Sequence, residues 1–112
     1  ILIATGSEVN TALDAARILR DEGRRIRVVS MPSRELFLRQ SREYQESVIP
    51  SACERRVTLE AGSTFGWEKF AGDKGLCIGL DRFGASAPYK VLAEKFGFTP
   101  EAVAAKIRSF FA

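Results

Sequence analysis

Two stretches decide the fold: Ile1-Leu2-Ile3-Ala4-Thr5-Gly6-Ser7-Glu8-Val9 and, further on, Ile26-Arg27-Val28-Val29-Ser30-Met31. Ile1 to Ala4 are apolar at every position, and a short run without polar alternation predicts a strand buried on both faces, as in a parallel sheet. Thr5-Gly6-Ser7-Glu8 turns the chain into a helix, with Ser7 placed to cap the exposed amides and Glu8 at the positive end of the dipole. Val9, Ala12, Leu13, Ala16 and Leu19 recur at three- and four-residue spacing and predict one buried stripe, while Asp14, Arg17, Arg20 and Asp21 fill the outer face. Gly23 is free to take a positive φ and stop the helix. The β-branched run at 26–31 reads as a second strand, ended by Pro32, which cannot donate to a ladder. Strand, helix and strand within about thirty residues make a right-handed βαβ crossover, so the two strands run parallel.

Outward from this unit, residues 33–50 are polar and helical in character, with Leu36, Phe37, Tyr44 and Val48 expected to face inward. Arg55-Arg56-Val57-Thr58-Leu59-Glu60 reads as a third strand, Val57 and Leu59 on one face and Thr58 and Glu60 on the other. A glycine-containing loop, 61–66, leads to one helical turn at Trp67 to Phe70. Leu76-Cys77-Ile78-Gly79-Leu80 is a fourth short strand whose direction the spacing leaves open. After a loop at Arg82 to Ser86, one helix starts with Pro88 in its first turn, carries Leu92, Ala93 and Phe96 inward and stops at Gly97. A last helix has Thr99 as cap, Pro100 at its first position and Val103, Ile107, Phe110 and Phe111 as its buried stripe. The architecture expected is α/β, and all of 1–112 is read as a single domain.

With 112 residues, 46% of them hydrophobic and 28% charged, the chain has the size and apolar content for one packed core. It contains no histidine, which excludes Ser-His-Asp and Cys-His catalysis, histidine-ligated metals and a histidine pH switch. Its two cysteines, Cys53 and Cys77, form no C-x-x-C pair, so a zinc ribbon or thioredoxin-type site is excluded. Their spacing leaves a disulfide between them open, but a reduced thiol is the plainer reading, Cys77 lying within an apolar run. No apolar run approaches the ~18 residues of a membrane span, and no leader of the secretory type opens the chain. A membrane partner and secretion are therefore not expected. The net charge of +3 comes from 17 Lys plus Arg against 14 Asp plus Glu, interleaved along the chain. A nucleic-acid partner is not expected from so dispersed a pattern. The densest basic cluster, Arg24, Arg25 and Arg27, follows Asp21 and Glu22 and reads first as a solvated surface, with phosphate binding as the alternative.

Candidate functional residues gather at two turns. Gly6 and Ser7 sit where α/β proteins often bind anions, at a strand end facing a helix amino terminus. The dinucleotide fingerprint needs three glycines and the P-loop needs a lysine, and neither pattern is met. A tight turn plus cap is thus the plainer reading, with an anion or ligand pocket formed with Gly62 and Ser63 as the alternative. Glu60, at the end of the third strand, could serve as a general base, but lacks a second titratable group nearby in sequence. Trp67, with Phe65 and Phe70, reads as core or interface packing rather than base stacking.

Ile3-Ala4-Thr5-Gly6-Ser7-Glu8-Val9, Arg27-Val28-Val29-Ser30-Met31-Pro32-Ser33, Glu60-Ala61-Gly62, Phe83-Gly84-Ala85-Ser86-Ala87-Pro88 and Phe96-Gly97-Phe98-Thr99 occur in this order. Together they closely resemble the C-terminal domain of transketolase, over essentially the whole chain. The resemblance implies a three-layer α/β/α sandwich on a mixed, mostly parallel sheet, and the start at Ile1 is read as the loss of that fold's first strand, within a fragment of a longer chain. It implies a parent transferase that moves a two-carbon ketol unit from ketose phosphates to aldose phosphates, in the pentose phosphate pathway or the Calvin cycle. That enzyme would use thiamine diphosphate and a divalent metal, Mg or Ca, as a cytoplasmic homodimer. The partners implied for this chain are the other transketolase domains. The family's catalytic, cofactor-binding and metal residues lie in those domains, so none is carried to a position here, and the domain's role would be structural, assembly or regulatory. Two alternatives stay open: a small-molecule or nucleotide-binding regulatory module, and the C-terminal domain of another thiamine-diphosphate enzyme.

Overall fold

In the computed structural model, residues 1–6, 8–60, 66–79 and 99–111 are described. Strands β1 (Leu2–Ala4), β2 (Val28–Ser30), β3 (Val57–Glu60) and β4 (Leu76–Gly79) form one sheet in the order β2-β1-β3-β4. All three neighbouring pairs are parallel. Leu2 lies opposite Val28 on one side and Val57 on the other, so β1 is hydrogen-bonded along both edges. The crossover read from the first thirty-one residues is present: α1 (Glu8–Asp21) connects β1 to the parallel strand β2. The direction left open for the fourth strand is parallel, Val57 standing opposite Leu76.

Alternation along the strands sends side chains to two separate cores. Leu2, Ala4, Val57, Leu59 and Ile78 meet α1 and the last described helix, α5 (Pro100–Phe110), through Ala12, Ala15, Ala16, Leu19, Val103, Ala104 and Ile107. Ile3, Val29 and Met31 meet Ile49, Trp67 and Phe70 on the opposite face. That second face is covered by α2 (Arg34–Leu38), α3 (Arg42–Val48) and α4 (Glu68–Ala71), which completes the three layers. Leu2, Ile3 and Leu59 are almost fully removed from solvent, each contributing about 2 kcal/mol of hydrophobic stabilisation.

Several local expectations are corrected. On α1, Leu13 is 43% exposed, while Ala15 joins Ala12, Ala16 and Leu19 in the buried stripe. The buried face is the one that shares a core with Val103, Ala104 and Ile107 of α5, and Leu13 is not part of that core. Residues 33–50 form two helices, because Ser33 and Ser41 each cap a separate start, accepting from the amides of Leu36 and Tyr44. In the single turn and a half of α2, Phe37 points inward and its neighbour Leu36 is carried round to solvent. Tyr44 is likewise exposed, and Ile49 is buried in its place. Phe110 is exposed, although Phe111 packs on the core. The Pro88 helix with Leu92, Ala93, Phe96 and Gly97, the 82–86 loop, and Leu80 lie outside the described residues.

Capping follows the chemistry of the sequence. Gly23, at φ +88°, closes α1 as its amide bonds Arg20 O at 2.9 Å and the Arg24 amide reaches back to Leu19 O at 3.1 Å. Thr99 accepts from the Ala102 amide at 3.2 Å to start α5, with Pro100 at its first position. Arg108 near the end of α5 donates twice to the Glu22 carboxylate, at 2.8 and 2.5 Å, tying α5 to the end of α1.

Two measurements test this packing. Ala16→Leu forces extra methylenes between α1 and the sheet and is expected to lower stability by about 1–3 kcal/mol; an unchanged denaturation midpoint contradicts the packing. The hydrogen bonds from Arg108 hold the Glu22 carboxyl below its ordinary pKa, the carboxylate being favoured in the folded chain. Its contribution to stability is therefore present at neutral pH and fades as the pH falls through and below the ordinary carboxylate range. An NMR titration should find the Glu22 transition depressed in the native chain and returned toward the ordinary value in Arg108→Gln.

Candidate functional site at the carboxyl edge of the sheet

Strand order places a topological switch between β1 and β3. From β1 the chain moves outward to β2, and β3 then returns to the other side of β1 and leads to β4. In open α/β sheets, the carboxyl edge at such a switch is the usual place for a ligand, because loops from its two central strands diverge there. Thr5 and Gly6 leave β1 at this edge, and Glu60 ends β3 beside them.

The Thr5 hydroxyl donates a short hydrogen bond to Glu60 Oε2, closing the gap between the two strand ends. Gly6 has φ +53°, and the Glu8 amide donates to Thr5 O at 3.0 Å, so the chain enters α1 within one tight turn. Glu8 is buried at the first turn of α1 and is itself engaged in an interaction. Across β1, the Met31 amide donates to Ala4 O at 2.8 Å and extends the pairing with β2 past its last strand residue. Of the four residues expected to form an anion or ligand pocket, Gly6 is placed at the switch, whereas Ser7, Gly62 and Ser63 lie outside the described residues. Glu60, considered as a general base, accepts this hydrogen bond from Thr5.

A metal with thiamine diphosphate would need a gathering of oxygen ligands. Among the described residues, no group of three or more Cys, Asp or Glu converges, and no buried side-chain nitrogen or oxygen is left without a hydrogen-bond partner. No described helix is long and apolar enough to cross a membrane. Cys53 and Cys77 are both free thiols.

A feature that the sequence did not reveal lies under the opposite layer. The Arg34 guanidinium stands 4.8 Å from the Trp67 ring centroid, and Trp67 and Phe70 pack with centroids 5.6 Å apart. Gly66, at φ +84°, runs so close that a Cβ there would lie 2.6 Å from Arg34 Nη1. An open cavity of about 460 Å³ is bounded by Arg34, Glu35, Gly66 and Lys69. Residues 34 and 67 are distant in sequence, and cation–π pairing has no sequence period, so only the fold brings them together.

The fold agrees with that of solved structures. The model of the transketolase-like TK C-terminal domain matches residues 1–99, and the chain belongs to that family. It is 59% identical over 105 residues to a chloroplastic transketolase of Craterostigma plantagineum, covering 94% of this chain and 20% of the relative. The chloroplastic transketolase of Solanum tuberosum is 57% identical over 105 residues, covering 94% of this chain and 14% of that protein. Among solved structures, transketolase from Leishmania mexicana superposes with a TM-score of 0.86 at 45% identity, covering 97% of this chain and 16% of the other. A split-gene transketolase described as an inactive β4 tetramer superposes at 0.65 with 28% identity, over 96% of this chain and 37% of that one. The chain thus spans a fifth or less of the length of the curated relatives described. The expected cytoplasmic setting is corrected by these plant relatives, which are named as chloroplastic enzymes.

The Thr5–Glu60 contact is open to a direct check. Thr5→Val keeps the side-chain shape and removes the donor, and is expected to cost about 1 kcal/mol, read as a lower midpoint in urea. Thr5→Ser, which keeps the hydroxyl, should recover most of that loss.

Proposed function

We propose that this chain is the non-catalytic C-terminal domain of a transketolase and that residues 1–112 form that one domain. The whole enzyme transfers a two-carbon ketol unit from ketose phosphates to aldose phosphates, with thiamine diphosphate and a divalent metal held by its other domains. Within it, this domain contributes a rigid α/β layer to subunit assembly in a homodimer. The observation that carries this reading is the match of nearly the whole chain to one end-to-end portion of transketolase structures, 97% of this chain against 16% of the Leishmania mexicana enzyme.

Further observations support it. Glu60, the carboxyl group best placed for acid–base work at the switch, is engaged by Thr5. The sequence contains no histidine to serve as a proton carrier. The described residues offer a metal no gathered ligand set. A related chain of a split-gene transketolase, carrying a likeness of this domain within a longer polypeptide, is described as inactive.

The isolated chain is expected to give no ketol transfer with ketose and aldose phosphates, thiamine diphosphate and magnesium. A transketolase whose own C-terminal domain is replaced by residues 1–112 is expected to remain dimeric and active. Turnover by the isolated chain, or a well-folded chimera that neither dimerises nor turns over, would overturn the reading.

A further inference from the structure

Helices α2 and α3 differ from the other helices described. Ala12, Ala15, Ala16 and Leu19 are buried on α1, Phe70 and Ala71 on α4, and Val103, Ala104 and Ile107 on α5. Neither α2 nor α3 contains a buried residue. Polar composition does not explain this, since Leu36, Phe37 and Leu38 follow one another in α2, and Tyr44 and Val48 lie in α3. At five and seven residues both helices are also far shorter than the ~12–15 residues at which a helix becomes even marginally stable by itself in water. Helices this short depend on packing an apolar face, and within the described residues that packing is incomplete.

The open face is well defined. Among the described residues, the large hydrophobics left exposed cluster between positions 36 and 44: Leu36 at 58%, Leu38 at 49% and Tyr44 at 51%. Leu36 from α2 and Tyr44 from α3 line one groove, together with Pro32, Phe37 and Val48. Phe37 joins this groove to the core beneath, its ring centroid lying 6.2 Å from that of Tyr44 and 6.0 Å from that of the buried Phe70. A separate molecule fits the face poorly, because two half-exposed side chains and a groove offer far less than the ~800 Å² per partner of a stable interface. A segment of the same polypeptide needs much less area, since covalent linkage holds it at an effective concentration of roughly millimolar. Transketolases have such chain to supply: residues 1–112 correspond to 20% and 14% of the two plant relatives.

We propose that the α2–α3 face is the docking surface for another part of the same transketolase polypeptide, outside residues 1–112, which brings an apolar side chain into the groove between Leu36 and Tyr44. The inference rests on the reading of this chain as a transketolase C-terminal domain, and adds which of its faces meets the rest of the enzyme. The cover it supplies completes the packing that α2 and α3 lack.

The test uses a transketolase whose own C-terminal domain is replaced by residues 1–112, followed by amide hydrogen exchange. Exchange over residues 34–48 is expected to be slow, and at least roughly tenfold faster in Leu36→Gln with Tyr44→Gln, because burying one leucine side chain is worth about a factor of ten or more in an equilibrium constant. Amides of β1 report on the core and should keep their protection in both proteins, which separates undocking from unfolding of the domain. Should the double variant unfold, Leu36→Gln alone, at the most exposed of these positions, carries the comparison. Exchange over 34–48 that the substitutions leave unchanged overturns the proposal. So does protection that is lost on dilution, since the cover is then a second molecule. An active, dimeric chimera with unchanged exchange sinks the docking surface alone; a well-folded chimera that neither dimerises nor turns over sinks the reading beneath it as well.

Discussion

Everything in this domain is built on the burial of β1 from both sides at once. Three residues, Leu2, Ile3 and Ala4, are buried, and the strand pairs along both edges with β2 and β3. Leu2 and Ala4 anchor the layer of α1 and α5, and Ile3 anchors the layer of α2 to α4. A polar residue at any of these positions would be placed in an apolar interior without water, and the strand has no exposed face to which it could be turned. The neighbouring strands are as short, three or four residues each, so the sheet depends on its two covering layers more than on ladder length.

From that central strand the chemistry of both edges follows. At the carboxyl edge the chain must turn at once into α1, and the Thr5 hydroxyl and Glu60 carboxyl meet as the ends of β1 and β3 are brought side by side. That hydrogen bond joins the two strand ends. At the amino edge, Leu2 and Val57, which open the same strands, share a core with Ile107 of α5, and Phe111 packs against it.

The βαβ unit was legible because both its signals are local. A continuous apolar run and a three-to-four-residue periodicity survive without knowledge of partners. Caps were legible for the same reason, as with Thr99 and Gly23, whose hydrogen bonds reach only a few residues along the chain. The inward residues of α1 and α2 were only partly legible. Leu13 and Leu36 are as hydrophobic as their buried neighbours, and their exposure depends on where α5 and the strands end. The Arg34–Trp67 stack left no trace in the pattern, because it joins segments some thirty residues apart.

The sequence by itself determined the α/β class, the parallel pairing of β1 with β2, the absence of histidine chemistry and, through its five short segments, the family. These rest on composition, on local periodicity and on ordered motifs, which the linear chain carries whole. Tertiary structure alone decided the direction of β4, the place of β3 beside β1 and the engagement of Glu60 by Thr5. Each of these is set by which distant surfaces bury one another best, a choice made by the packed core as a unit and not by any segment of it.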